Sequence, residues 1–553
     1  MIGLLLHLLK FSPVSLDPRS LWDNAVSFKQ KERLDRLARI LNDSDDFSQI
    51  NAFDLTVLST PAHEIVARIG ARRLNWNARN VTKAFIKAAI QAHVETNCLT
   101  EIMFEEALER ADQMDKEFAA TGQLKGRLHG IPVSLKDQVN VKGFDSTIGF
   151  TNSGGEAALL ASDGSCLGIG GKSANSGALL RVLQPETEVS SRYEIVYIQC
   201  SGRIVQDGFR DCDDGYTEIL GVIGPMARCW EDLVLLSQVM LHKPDPTTSL
   251  SAPSLPSGIK QQADYRAPMI CQFDIDDLIE TSSPCRRAVE ETVDALKLAG
   301  YDCVEIDVSR LDVLEGLILY VGLSSADGYK TGLSHLGRDP IDDSMFLTTI
   351  GCMLPSWLRW IVCGITRYLL QDDVMAKLIE ASQEKSTGEL QKWRVRKDAY
   401  CLKLWEELGL DGLICPTQTV PAVPIGSSWN KSFLAESTLI WNLVDSTVGH
   451  IPITRVDIQR DQIRSDANSM TNAPKRSGDM WRVKDLLPSV EETEGLPVGI
   501  QLVCGFLEEE KTLALMGIIV KSWNNRPKQT APLPKPGDFL GKKQGLGVAK
   551  SHP

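Results

Sequence analysis

The chain has 553 residues, 43% hydrophobic and 24% charged, the balance of a soluble globular protein long enough to bury a large core. Its net charge of −13 leaves no basic stripe for a polyanion, which excludes nucleic acid as a partner. The thirteen cysteines form no Cys-x-x-Cys pair and no Cys/His group at zinc-ligand spacing, so they read as reduced, mostly buried thiols of a cytoplasmic protein.

The opening MIGLLLHLLKFSP carries an apolar run too short to span a bilayer and without a small-residue cleavage site; it reads as a buried or surface-docking helix. In LWDNAVSFKQKERLDRLARIL, Leu21, Val26, Leu34, Leu37 and Leu41 line one helix face, which makes residues 1–61 a helical N-terminal extension. From Ala62 to Ala120 apolar residues recur at three and four, predicting a helical layer; Glu105, Glu106, Glu109 and Arg110 read as solvated pairs. Ile131–Leu135 is a short apolar run broken by Pro132, hence an edge strand or a strand end, and Lys136 follows it directly.

Residues 151–180 are rich in Gly, Ser and Ala, which lets backbone N–H groups approach a ligand closely. GGKS within them ends like a phosphate-binding loop, but the glycine that should open that pattern falls at Cys166, which argues against nucleotide binding. Residues 181–215 fit no clean element. GVIGPMARCWEDL reads as a turn into a helix. APMICQFDID and DCVEIDV flank the helix CRRAVEETVDALKLAG, a β–α–β order suited to a parallel sheet. LPSWLRWIVCGITRYLL at 354–370 has only Arg359 and Arg367 charged; it reads either as a core helix or as an amphipathic cap that touches membrane or an apolar substrate. DGLICPT and LPVGIQLVCG read as buried strands, 471–494 as a surface loop, and EEEKTLALMGIIVKSW as the closing helix. No repeat or composition break divides residues 62–524, which form one domain; the Lys-, Pro- and Gly-rich 525–553 reads as a disordered tail.

Several words together carry a resemblance. TNCLTEI (96–102), GRLHGIPVSLKDQVNVKG (126–143), SGGEAALLASDGSCLGIG (153–170), IGPMARCWEDL (223–233), DGLICPT (411–417), HIPITRVD (450–457) and GLPVGIQLV (495–503) are similar to the amidase signature family, in particular its fungal acetamidase-type and fatty-acid-amide-hydrolase-like members. The resemblance implies an α/β fold with a single large mixed sheet flanked by helices and a helical N-terminal layer. It implies hydrolysis of a small-molecule carboxamide by a Ser–cis-Ser–Lys triad, without cofactor or metal. The family's lysine matches Lys136. A neutral lysine takes a proton from a bridging serine, which deprotonates the nucleophilic serine. Residues 354–370 resemble the apolar cap of membrane-associated members and imply peripheral membrane contact.

The chain also departs from the family. Around the bridging serine the family reads GGSSGGE; here the text is GFTNSGGE, so Ser153 matches the second serine and Asn152 stands in the bridging position. A strand–helix–strand portion that the family places between the lysine loop and this motif is absent, and Phe150 runs straight into Thr151. By counting, Ser176 takes the nucleophile's place, with Ser173 the other nearby candidate, while Lys172, Ala174 and Asn175 replace the family's Asp and two glycines. Back-translated and read one base later, 170–188 permit G-G-S-L-R-I-P-A, one non-matching residue, F-C-G and then F-Y-S-L-K-P, nearly the family's nucleophile motif and following strand. The stretch therefore reads as a frame-shifted or mis-spliced nucleophile region. The expected outcome is weak or absent turnover; the alternative is an inactive protein of the same fold.

Overall fold

The computed structural model describes residues 19–42, 47, 49–147, 155–172, 196–199, 203–204, 206–210, 216–241, 270–272, 281–306, 311–336, 346–408, 411–423, 434, 436–461, 493–526 and 533–543. Among them nine strands form one mixed sheet. They are β1 (Val133–Leu135), β2 (Leu167–Lys172), β3 (Val196–Gln199), β4 (Val222–Ala227), β5 (Ile270–Gln272), β6 (Cys303–Glu305), β7 (Gly412–Pro416), β8 (Thr447–Arg455) and β9 (Pro497–Cys504), in spatial order β1-β2-β4-β3-β8-β9-β7-β5-β6. The β1/β2, β5/β6 and β5/β7 pairs are parallel and the others antiparallel. β7 is buried along its whole length, as an unbroken apolar run in a sheet covered on both faces must be. β1 ends the sheet, where Pro132 costs no ladder bond.

The N-terminal layer comprises α1 (Arg19–Leu41), α2 (Ala52–Leu58), α3 (Ala62–Gly70), α4 (Ala78–Thr96) and α5 (Phe104–Thr121). The Asn77 side chain caps α4 by accepting from the Asn80 N–H at 2.7 Å, and Asn97 ends it in the left-handed region at φ 51°. The stripe expected on α1 is only partly used. Ile40 packs with Ile86 and Leu108 and Leu37 is buried, but Leu34 and Leu41 stay exposed. Polar docking does the rest: Arg33 and Arg36 donate to the carbonyls of Leu99 and Ile102 at 2.8 and 3.0 Å.

Behind the sheet, α6 (Gly155–Ala161), α7 (Trp230–Met240), α8 (Ser283–Leu298) and, near the C-terminus, the helix Glu509–Asn524 bury their apolar faces against the strands; Ile414, Ile451, Ile500 and Leu502 form the centre of that core with Val289, Leu513 and Met516. A second core gathers around α9 (Val313–Ser324), with Trp441 and Leu443 at its heart.

Two expectations need correction. The tail is not disordered throughout: Asp538–Lys543 is helical, Leu540 is buried, and the Gly537 N–H donates to Asp163 Oδ1 at 2.9 Å, a contact between residues 374 apart in the chain. The 354–370 run is not a core helix. Its helix α10 (Ser356–Gly364) and the following π-turn Ile365–Leu369 leave Trp357, Trp360 and Tyr368 66%, 78% and 80% exposed. Arg359 is the reason: its guanidinium reaches inward to the Gly351 carbonyl at 2.9 Å and to Gln383 at 2.9 Å, which turns the aromatic face outward. The opening apolar run and, apart from its last two residues, the 471–494 loop lie outside the described residues.

Candidate active site

Lys136 emerges where β1 ends. Its backbone N–H still follows the ladder, donating to the Ile169 carbonyl on β2 at 3.0 Å, while its side chain is only 3% exposed. The amine donates to Oε1 of Gln138. The loop that carries both is a tight turn: the N–H groups of Gln138 and Val139 return to the Lys136 carbonyl at 2.7 and 2.9 Å. Residues 206–210 clamp it from outside. Val139 bridges Phe209, Asn140 N–H donates to the Gly208 carbonyl at 2.7 Å, and Arg210 N–H donates to the Gln138 carbonyl at 2.8 Å. Gly208, at φ +84°, supplies the left-handed backbone this return needs.

Asp137 is engaged by Thr147. Its carboxylate accepts from the Thr147 N–H at 3.1 Å and from the Thr147 hydroxyl, and burial pushes its carboxyl above the usual range. On the strand before it, Ser134 donates its hydroxyl to Glu156 Oε1 at 2.6 Å. Glu156 stands in the first turn of α6 and is buried against β2 at Gly168, where a Cβ would collide with its carboxylate. Absence of a side chain at 168 is therefore what lets the acid reach β1.

A cavity of about 210 Å³ opens beside these residues. Phe85, Ile86, Met103, Phe104 and Leu159 give it apolar walls, and Ser134, Lys136, Gly155 and Glu156 give it a polar side. Small ligands bind in concave sites of this make-up, apolar with a few convergent polar groups.

The Amidase family pattern matches residues 80–152 and 151–513. The chain belongs to the amidase family. Its relatives include Amidase 1 of Gibberella moniliformis (strain M3125 / FGSC 7600), 25% identical over 560 residues that cover 90% of this chain and 98% of that protein. Fatty-acid amide hydrolase 1 of Sus scrofa is 25% identical over 527 residues, covering 83% and 85%. A solved structure of fatty acid amide hydrolase aligns with a TM-score of 0.68 at 19% identity, covering 93% of this chain and 91% of that one. This chain is thus an amidase-family hydrolase of amides on the amidase-signature α/β fold. The family pattern breaks into two pieces that meet at 151–152, beside the junction of Phe150 and Thr151.

Of the residues expected in the site of this amidase, Lys136 is described; Asn152, Ser153, Ser173 and Ser176 lie outside the described residues. What flanks them is described: Gly155 opens α6 and Lys172 closes β2, the strand that pairs with β1. Ser134, Gln138 and Glu156 were not singled out from sequence, although Gln138 and Glu156 sit inside the words KDQ and SGGE. His450 is a separate feature. It lies on β8, four strands from β1, roughly 19 Å across the sheet at ordinary strand spacing. Its ring stacks on Tyr197 at 5.3 Å and shares a hydrogen bond with Thr417 Oγ1 at 2.8 Å, and burial holds it neutral, down to about 4. Among the described residues no helix is long and apolar enough to cross a membrane.

Proposed function

We propose that the chain hydrolyses the C–N bond of a non-peptide carboxamide to a carboxylic acid and ammonia or an amine, with Lys136 as base, Ser153 as proton relay and Ser176 as nucleophile. One observation carries this reading: Lys136 and the Gly155–Glu156 end of the glycine-rich motif line the same cavity. The Ser176 hydroxyl attacks the amide carbon as its proton passes to the lysine amine through Ser153, the neighbour of the bridging position that Asn152 holds. The C–N bond then breaks, the proton returns to the leaving nitrogen, and water attacks the ester so formed to release the acid and restore the serine. Only a neutral amine accepts a proton, so a lysine drawn out of water at the end of β1 suits the role.

Turnover is expected to be slow, because asparagine at 152 offers no hydroxyl in the bridging position and interrupting a triad removes most of its advantage. The break of the family pattern at 151–152 favours a second reading, an inactive protein of the same fold. A fluorophosphonate probe with peptide mapping separates them. Labelling at Ser176 that disappears in Lys136→Ala supports the hydrolase; no label and no turnover supports the inactive fold.

The exposed face of Trp357, Trp360, Tyr368 and Leu369 supports peripheral membrane contact by a cytoplasmic protein that draws an apolar amide from the bilayer surface.

A further inference from the structure

We infer that Gln138 is the positioning residue for Lys136: its amide oxygen holds one N–H of the lysine amine and so fixes the direction of the nitrogen lone pair. The inference rests on the reading of Lys136 as the base.

A neutral primary amine has two N–H bonds and one lone pair. On a four-carbon stem it rotates freely unless one N–H is fixed. Here the Gln138 oxygen accepts from one of those N–H groups. Gln138 itself is held rigidly. It is 1% exposed, its N–H donates to the Lys136 carbonyl at 2.7 Å, and its carbonyl accepts from Arg210 N–H at 2.8 Å.

Packing does not explain an amide at this place. Its Nε2 is buried with no hydrogen-bond partner among the described residues, a cost that an apolar side chain of the same size would not carry. What an apolar side chain could not do is accept from the lysine. Charge matters as well. A carboxylate in this position would hold the proton on the amine, whereas an amide oxygen orients the amine without opposing its deprotonation as strongly. The carboxylate adjacent in sequence, Asp137, is turned onto Thr147 instead.

The test uses the full chain with Gln138→Leu, Gln138→Met, Gln138→Glu and Lys136→Ala. Lys136 is acetylated with trace acetic anhydride from pH 6 to 11 and read by peptide mass spectrometry, alongside kcat and KM for a primary carboxamide. Loss of the acceptor in the Leu and Met variants should move the acetylation midpoint of Lys136 down by about one pH unit, and Gln138→Glu should move it up by about one or more. The Leu and Met variants should lower kcat about tenfold with KM retained. Opposite shifts for Leu and Glu place the side chain at the amine, and the fall in kcat with KM retained is what a merely structural glutamine would not give. Midpoints that stay at the wild-type value in all three variants overturn the inference, and this arm decides it even where turnover is undetectable. Turnover retained in Lys136→Ala overturns the lysine reading itself, and Gln138 then has no base to position.

Discussion

Glu509 opens the helix Glu509–Asn524 with its side chain fully buried. Its Oε2 accepts from Arg203 Nη1 at 2.9 Å, and its Oε1 has no partner among the described residues. Burial, offset only partly by the Arg203 guanidinium, pushes the carboxyl from 4.5 up to about 7. An acid whose folded value is raised holds its proton more tightly when folded. The stability it adds is therefore fully present below pH 4.5 and is lost as pH rises through 7. At about 1.4 kcal/mol per unit, the loss between pH 5 and pH 8 comes to about 2.5 kcal/mol. Glu509→Gln removes this loss. It keeps an oxygen for Arg203, which also retains Glu510 at 2.6 Å. The stability of the variant relative to wild type should thus rise by about 2.5 kcal/mol from pH 5 to pH 8. His450 acts in the opposite sense: held down to about 4, it costs stability as pH falls below 6.5. His450 is common to both proteins and cancels in the difference. Urea unfolding of the pair at pH 5, 6, 7 and 8 measures it. A difference that does not change with pH, or that shrinks as pH rises, refutes the reasoning.

Two further outcomes follow from named contacts. Asp163 accepts from the buried Arg228 at 3.0 Å and from the Gly537 N–H, so Asp163→Ala should cost about 3–5 kcal/mol in chemical unfolding by leaving the guanidinium uncompensated. Asp163→Asn should cost less, because asparagine keeps an oxygen for Arg228 and tolerates the φ of 58° found there; equal losses would assign the whole effect to the lost charge. The double change Trp357→Ala, Trp360→Ala should leave thermal unfolding within about 1 kcal/mol of wild type while lowering sedimentation with phosphatidylcholine vesicles. Unchanged sedimentation would remove the membrane contact from the account.

Much of the sheet was legible because its strands are apolar words bounded by turn residues. DGLICPT and LPVGIQLVCG became β7 and β9, and the β–α–β order of 270–305 became the parallel pair β5/β6. Pro132 correctly marked β1 as an edge. Periodicity failed where polar groups set the docking. Arg33 and Arg36 attach α1 through carbonyls, and Arg359 turns α10 so that its tryptophans face out; neither is visible in an apolar count. The docking of 533–543 was invisible for another reason: its anchor, Asp163, is hundreds of residues away, and composition carries no long-range contact. At the candidate site, the place of Lys136 directly after an edge strand was legible from the apolar run before it. Gln138 and Glu156 were not, because an amide beside a lysine and an acid against a glycine have no spacing signature; they become visible only when the turn after β1 closes and α6 packs on β2.

The most direct measurement is ammonia release from short aliphatic, aryl and fatty primary amides by the full chain and by Lys136→Ala, with folding of both checked by circular dichroism. The account predicts slow hydrolysis of at least one amide by the chain and none by Lys136→Ala. Hydrolysis at the same rate by both proteins would contradict it.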